Sequence, residues 1–305
     1  MKLPLTAQEP AQPLVTRAKG RKKISYTTLT RINKVALFAF LLILSFVMIY
    51  PYIWSLTSSF KTDRQIYNGN PLDMIPSPFI TDNYTAALER VPFFRFLANS
   101  MFLSLVVPGL SMVISVLAAF AFARLEFKGR NLLFLIVLGT MMLPGHITLI
   151  PRFILMRYLG WINSYWALII PAAFGGMAVF NTFLLRQFFL SFPKELEEAA
   201  IIDGCSRWQI LWRILLPNSG AALATVAIIS FKNEWNAFLW PLVVINDLEK
   251  MPIQVGLSFF QNGVSGSWGT LLAGAVMALV PLILVFIVFQ RYFISSSVTT
   301  GIAGK

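Results

Sequence analysis

Long apolar blocks alternate with short polar stretches along most of this chain, without the 3.6-residue or 2-residue alternation of elements that keep one wet face. Blocks of roughly 18 or more apolar residues predict helices that cross a membrane. About six are legible, at residues 35–54, 98–123, 131–150, 164–185, 220–245 and 269–293. The polar stretches between them predict the rest of the layout. Residues 1–34 form a basic tail, and residues 55–97 an external loop that carries Pro71, Pro76, Pro78 and Pro92 and a short helix near Asn83–Arg90. A short outer segment holds Trp161, a long polar loop covers 186–217, and a tail covers 294–305. The first block is too long and too far from the start for a secretory signal, and no small-x-small cleavage pattern follows, so it is read as an uncleaved span. The expected fold class is an all-α polytopic membrane protein with its core at 98–293.

Composition agrees. Hydrophobic types make up 57% of the 305 residues and charged types only 12%, where soluble domains carry about a quarter. A buried helix explains one such block but not six, because too little polar surface is left to cover a soluble particle. The net charge of +12 would suit a nucleic-acid partner, but the basic residues flank the apolar blocks, and no nucleic-acid partner is expected. Their distribution sets an orientation instead. With the N-terminus inside, 17 Lys and Arg fall in inner segments and 7 in outer ones, Lys232 lying within the fifth block. This asymmetry predicts both termini in the cytoplasm of a multi-pass cytoplasmic (inner) membrane protein. Tyr50, Tyr52 and Trp54 suit an aromatic belt at the outer interface.

Pro108, Pro144, Pro171 and Pro281 fall inside blocks and predict bends or breaks. Small residues such as Ala119, Ala123, Gly175, Gly176, Gly274 and Ala278 permit close helix approach and are read as packing within the subunit. With one cysteine, Cys205, no intrachain disulfide forms. The lone histidine, His146, has no Cys or His cluster around it and is read as a solvated interfacial residue, so no metal site is expected.

The loop 186–217 is too polar to span. Within Ser191–Gly220, Pro193 suits a first helical position, and Glu195, Glu197 and Glu198 fall where acids favour the positive end of a helix. Gly204 can end that helix in the left-handed conformation. A second amphipathic segment, Trp208–Leu216, leads to Pro217 and the fifth block. Two short helices with a glycine bend are predicted.

The order Glu198-Ala199-Ala200, Gly204, Ile214 and Leu216-Pro217 resembles the coupling loop of binding-protein-dependent ABC importer permeases. Asn99-Ser100, Ala118–Arg130, Pro144, Leu159-Gly160, Asn181 through Arg186, Trp235-Asn236 and Trp240-Pro241 resemble the carbohydrate branch, the smaller maltose-type permease. The resemblance runs from about Asn83 to the C-terminal end. It implies a type I ABC importer permease fold and a transport subunit that moves a saccharide, expected to be an oligosaccharide. It implies a second homologous permease in a heterodimer, an ABC ATPase dimer that binds ATP and Mg, and an extracytoplasmic solute-binding protein. This chain itself would hold no cofactor and no catalytic residue. The residues implied to engage the ATPase are Glu197, Glu198, Ala199, Ala200, Asp203, Gly204, Arg207 and Pro217. Cys205 replaces the small alanine or serine usual after the glycine, a change of little size. No G-x-x-x-x-G-K-[ST] phosphate loop is present; Gly304-Lys305 has Thr299 where the first glycine belongs.

Ionisable residues inside a membrane usually face a cavity or a partner. Lys232, Asn233, Glu234, Trp235 and Asn236 form such a group in the fifth block. They are read as a solute pathway, with Trp235 stacking on a sugar face and Asn236 bonding hydroxyls, or else as a contact with the second permease. Lys232 would suit an anionic sugar. Three other classes also use such spans: an ABC importer for a non-sugar solute such as a polyamine or phosphonate, an ion-coupled secondary transporter, and a membrane enzyme. The second needs buried acids in several spans and only Glu234 qualifies. The third needs a catalytic cluster that the sequence lacks.

Overall fold

The computed structural model describes residues 26–70, 72–260 and 267–302, with side chains from 33 to 288. Most of the basic tail, residues 261–266 and Gly304-Lys305 lie outside these described residues. No strand occurs among the described residues. The chain divides into two units, residues 1–53 and 54–305. The first is described from the start of α1 (Tyr26–Ser58), whose side chains from Val35 to Ile49 are mostly large, apolar and exposed, as suits a helix whose solvent is lipid.

In the second unit the loop expected to be external folds into α2 (Asp63–Asn68), capped by a reciprocal Thr62–Gln65 pair, and the expected short helix, α3 (Asp82–Arg90). The long α4 (Phe93–Arg124) is the second expected span. The third is not one helix. The chain runs through α5 (Arg130–Gly139) and a 3-10 turn to Met142, opens at Leu143–Thr148 around Pro144 and Gly145, and resumes as α6 (Leu149–Tyr158). His146 is exposed on that opening. The fourth span is α7 (Tyr165–Ala173) followed by α8 (Gly176–Ser191), interrupted at Phe174-Gly175 but long and apolar enough to cross as one 27-residue element. Then come α9 (Lys194–Ile202), α10 (Arg207–Ile210), a π turn over Leu211–Leu215 and α11 (Leu216–Asn218).

The fifth expected span is also interrupted. Helix α12 (Gly220–Trp235) stops, and α13 (Leu239–Val244) follows a non-helical Asn236–Phe238. After α14 (Ile253–Ser258), α15 runs from Trp268 to Ile302, through the sixth expected span and most of the expected tail. Among the described residues four elements, Asn33–Ser58, α4, the α7–α8 pair and Trp268–Val288, are long and apolar enough to cross a membrane, and Arg207–Asn218 with α12 makes a fifth if the pair, bent by 79°, is one span.

Helix α4 passes through both cores. One joins Phe96, Leu103 and Val107 of α4 to Leu168, Phe231, Trp235 and Ile253. The other joins Val116, Ala119 and Phe120 of α4 to Leu185, Phe189, Ile210, Leu211, Leu215 and Val226. Between them, fully buried Asn181 of α8 donates to Ser230 Oγ at 2.8 Å on α12 and to Ser111 Oγ at 3.3 Å on α4. Within a membrane, such a polar tie aligns helices that have no hydrophobic drive to associate. Gly256 of α14 abuts buried Phe96 so closely that a Cβ there would overlap the ring. Gly256→Ala therefore lowers stability by about 1–3 kcal/mol through overpacking. A thermal midpoint in detergent equal to that of the parent would contradict this.

Candidate functional site

The loop after α8 folds as two short helices joined at a glycine. Pro193 takes the cap position, one residue before the first helical position expected for it. Gly204 has φ +82°, the left-handed turn that releases the chain from α9. Ser206 and Gln209 then cap α10 reciprocally.

Burial separates the sequence-predicted loop residues into two sets. Glu198, Ala199, Asp203, Gly204, Arg207 and Pro217 are exposed. Glu197 and Ala200 face inward, at 6% and 7% exposure. Ala200 packs in the second core rather than on the outer face where a small residue was expected to enter a cleft. Glu197 meets two arginines. Its Oε1 lies 2.8 Å from Nε of Arg124, itself buried at the end of α4, and its Oε2 lies 3.8 Å from a nitrogen of exposed Arg207. The same Arg124 donates through Nη2 to the carbonyls of Phe189 at 2.5 Å and Phe192 at 2.7 Å. These oxygens close α8, where helix carbonyls lack partners and the dipole is negative, so a cation is doubly favoured. Nearby, Arg186 donates to the Phe122 carbonyl at 3.2 Å and lies over the Phe134 ring at 4.1 Å. In the sequence both arginines stand out as orientation charges and within stretches that carry the family resemblance, with no contact assigned to either.

The polar group of the fifth span is spread over different faces of the last turn of α12, with Asn236 at the break that follows. Trp235 is buried at 2% exposure, its ring stacked on Phe231 with centroids 5.7 Å apart, so it is core and unavailable to a solute. Asn236 caps α12, donating from Nδ2 to the Lys232 carbonyl at 2.8 Å. Lys232 is exposed and does not line the cavity that the other two reach. That cavity, of about 220 Å³, lies among α4, α6, α7, α8, α12 and α13, and Asn233 and Glu234 share it with Ser111, Arg152 and Trp240. The Arg152 guanidinium sits 3.9 Å from the Trp240 ring centroid, and Trp240 donates its indole N–H to the Ala167 carbonyl at 2.8 Å. Pro108 and Pro171, prolines of the second and fourth spans, line the same space. Arg152 and Trp240 were missed as cavity residues. Trp240-Pro241 was visible only as part of a resemblance, and Arg152 as a charge after the third block.

At the other end of α4, Asn99 donates to the carbonyls of Glu249 and Met251 at 2.8 and 3.0 Å, and Ser100 Oγ accepts from the Ile253 amide at 2.8 Å. Asn163, at φ 61°, accepts from the amides of Asn246 and Asp247. Hydrogen bonds from Lys250 and the Glu249 amide hold the Asp247 carboxyl below the usual aspartate range. The segment after α13 is thus fixed against α4 and the start of α7.

Broken apolar helices around a cavity, with a two-helix loop beside them, are the architecture of a polytopic membrane protein. Residues 85–296 match the family described as binding-protein-dependent transport system inner membrane component, and the chain belongs to that family. It is 38% identical over 269 residues, covering 88% of this chain and 94% of the relative, to the arabinooligosaccharides transport system permease protein AraQ of Halalkalibacterium halodurans. With the protein of the same name from Bacillus subtilis it shares 33% identity over 275 residues, 90% of this chain and 97% of that one. Among solved structures it resembles, with TM-score 0.75 and 27% identity over 89% of this chain and 100% of the other, a chain from a bacterial ABC transporter involved in the import of the acidic polysaccharide alginate.

Proposed function

We propose that this chain is one permease subunit of an ATP-driven importer that takes a saccharide, in particular an oligosaccharide, from an external binding protein. A second homologous permease completes the pathway, and a separate ATPase dimer binds ATP and Mg. Both termini lie in the cytoplasm. The observation that carries this reading is the division of α9: Glu197 and Ala200 anchor it, while Glu198, Ala199 and Asp203 stand exposed on a short rigid helix. A helix fixed on one side and open on the other suits insertion into a cleft of the ATPase, with Glu198 pairing with a basic or amide group there.

The solute reading rests on the relatives' oligosaccharide names and on the cavity. An aromatic face, amide and hydroxyl groups and a guanidinium suit a hydroxyl-rich solute, with Trp240 in the stacking role first assigned to Trp235. Asn233 is exposed toward this space. Asn233→Leu removes one hydrogen bond and lowers apparent solute affinity by about 10-fold, while assembly with the ATPase is retained; unchanged uptake would remove Asn233 from the pathway. The reading as a whole is tested in proteoliposomes holding both permeases and the ATPase, supplied with binding protein and a labelled oligosaccharide. Uptake that requires internal ATP supports it; uptake driven by an ion gradient without ATP overturns it.

A further inference from the structure

We infer that Arg124 is a positioning residue for coupling, joining the ATPase-facing helix α9 to the spans that line the cavity; this rests on the reading of α9 as the coupling helix. One guanidinium, 8% exposed, meets three groups beyond its own helix, one by an ion pair and two by hydrogen bonds. They are the Glu197 carboxylate on α9 and the carbonyls of Phe189, in the last turn of α8, and Phe192, in the link between α8 and α9. The planar fork of arginine suits this task, since its donors diverge in fixed directions and its charge is permanent. The neighbouring second core packs Ala123 and Phe120 of α4 against Phe189 and Ala200, so the polar joint is backed by apolar contact on the same three elements.

The consequence is mechanical. Helix α4 continues from Arg124 to Ser111, Pro108 and Val107 at the cavity, and α8 begins at the cavity with Gly176 and Met177. Thirteen residues of helix place Ser111 about 20 Å from Arg124. A displacement of α9 by the ATPase therefore passes through Arg124 into two rigid helices whose far portions bound the cavity. Arg207 does not supply the same joint. It approaches Glu197 only to 3.8 Å and is largely exposed, the kind of pair that contributes little.

The test separates this joint from simple support of the fold. A double replacement, Arg124→Met with Glu197→Leu, exchanges the buried ion pair for apolar side chains, a change that buried pairs commonly tolerate. Arg124→Lys keeps the charge but replaces the planar fork, whose donors diverge in fixed directions, by a single ammonium. Each variant is purified with both permeases and the ATPase, reconstituted, and read as solute taken up per ATP hydrolysed. The expected result is a ratio lowered roughly 3- to 30-fold in the double variant, with Arg124→Lys between it and the parent. Ratios within about twofold of the parent in both variants would overturn the inference. If the double variant does not assemble, Arg124→Lys decides alone: a lowered ratio supports the joint and an unchanged one overturns it. Failure of the parent complex to show ATP-dependent uptake would instead count against the permease reading.

Discussion

Glu197→Leu alone destabilises the folded chain by about 3–5 kcal/mol, because it leaves the Arg124 guanidinium buried opposite an apolar side chain. Arg124 keeps its two carbonyl acceptors, which satisfy its donors in part but do not neutralise its charge. Adding Arg124→Met to the same chain recovers most of the loss, since the uncompensated charge is then gone. The measurement is thermal unfolding of the detergent-purified permease, parent and both variants side by side. A single variant as stable as the parent would mean that the pair seen at 2.8 Å carries no energetic weight. A double variant as unstable as the single one would place the cost in packing rather than in charge.

The second large effect falls on function and leaves the fold alone. Glu198 is exposed and makes no ion pair among the described residues, so Glu198→Lys disturbs little within this chain. If Glu198 pairs with a basic or amide group of the ATPase, reversing its charge replaces attraction by repulsion in a desolvated contact. Affinity for the ATPase then falls roughly 30-fold or more, and ATP-driven uptake falls with it. Co-purification and uptake are compared at equal amounts of membrane-inserted protein. Uptake at the parent level with normal co-purification would contradict the assignment of Glu198. The contrast between the two positions is informative: adjacent glutamates are expected to fail in different ways, Glu197 through the fold and Glu198 through the partner.

That contrast was not legible in the sequence. The loop stood out as a polar interval between apolar blocks, and Gly204 marked where its first helix ends, because each is a local signal. Which face of α9 turns inward depends on Arg124, more than seventy positions earlier in the chain, and no periodicity in nine residues reveals it. Arg124 itself sits after an apolar block, where a basic residue reads naturally as an orientation charge. The spans show the same limit. Pro144 was expected to bend or break the third block, and with Gly145 it breaks it outright. The break after Trp235 was not expected, although Pro241 stands four residues after Ala237 and would lack the N–H for, and clash with, its carbonyl in a continuous helix; the polar run from Lys232 to Asn236 was read as a pathway in mid-helix. Polar side chains in a membrane segment mark irregular backbone as well as solute contact, because exposed carbonyls there must find donors. Asn236 supplies one to Lys232, and Trp235 goes to the core. The cavity residues Arg152 and Trp240 lie just beyond such breaks, where a straight third block leaves Arg152 past its end and a straight fifth block leaves Trp240 near its end.

The lone cysteine gives direct access to the central claim, that α9 is the face that meets the ATPase. Cys205→Ser yields a chain without cysteine, and Glu198→Cys then places one thiol on the exposed side of α9. In the assembled complex a short thiol-reactive cross-linker is expected to join position 198 to the ATPase, with a yield that changes when ATP is bound. In intact cells the same thiol is expected to be shielded from a membrane-impermeant reagent added outside. Labelling from outside, or no ATPase cross-link under any nucleotide condition in a complex that still transports, would contradict the account.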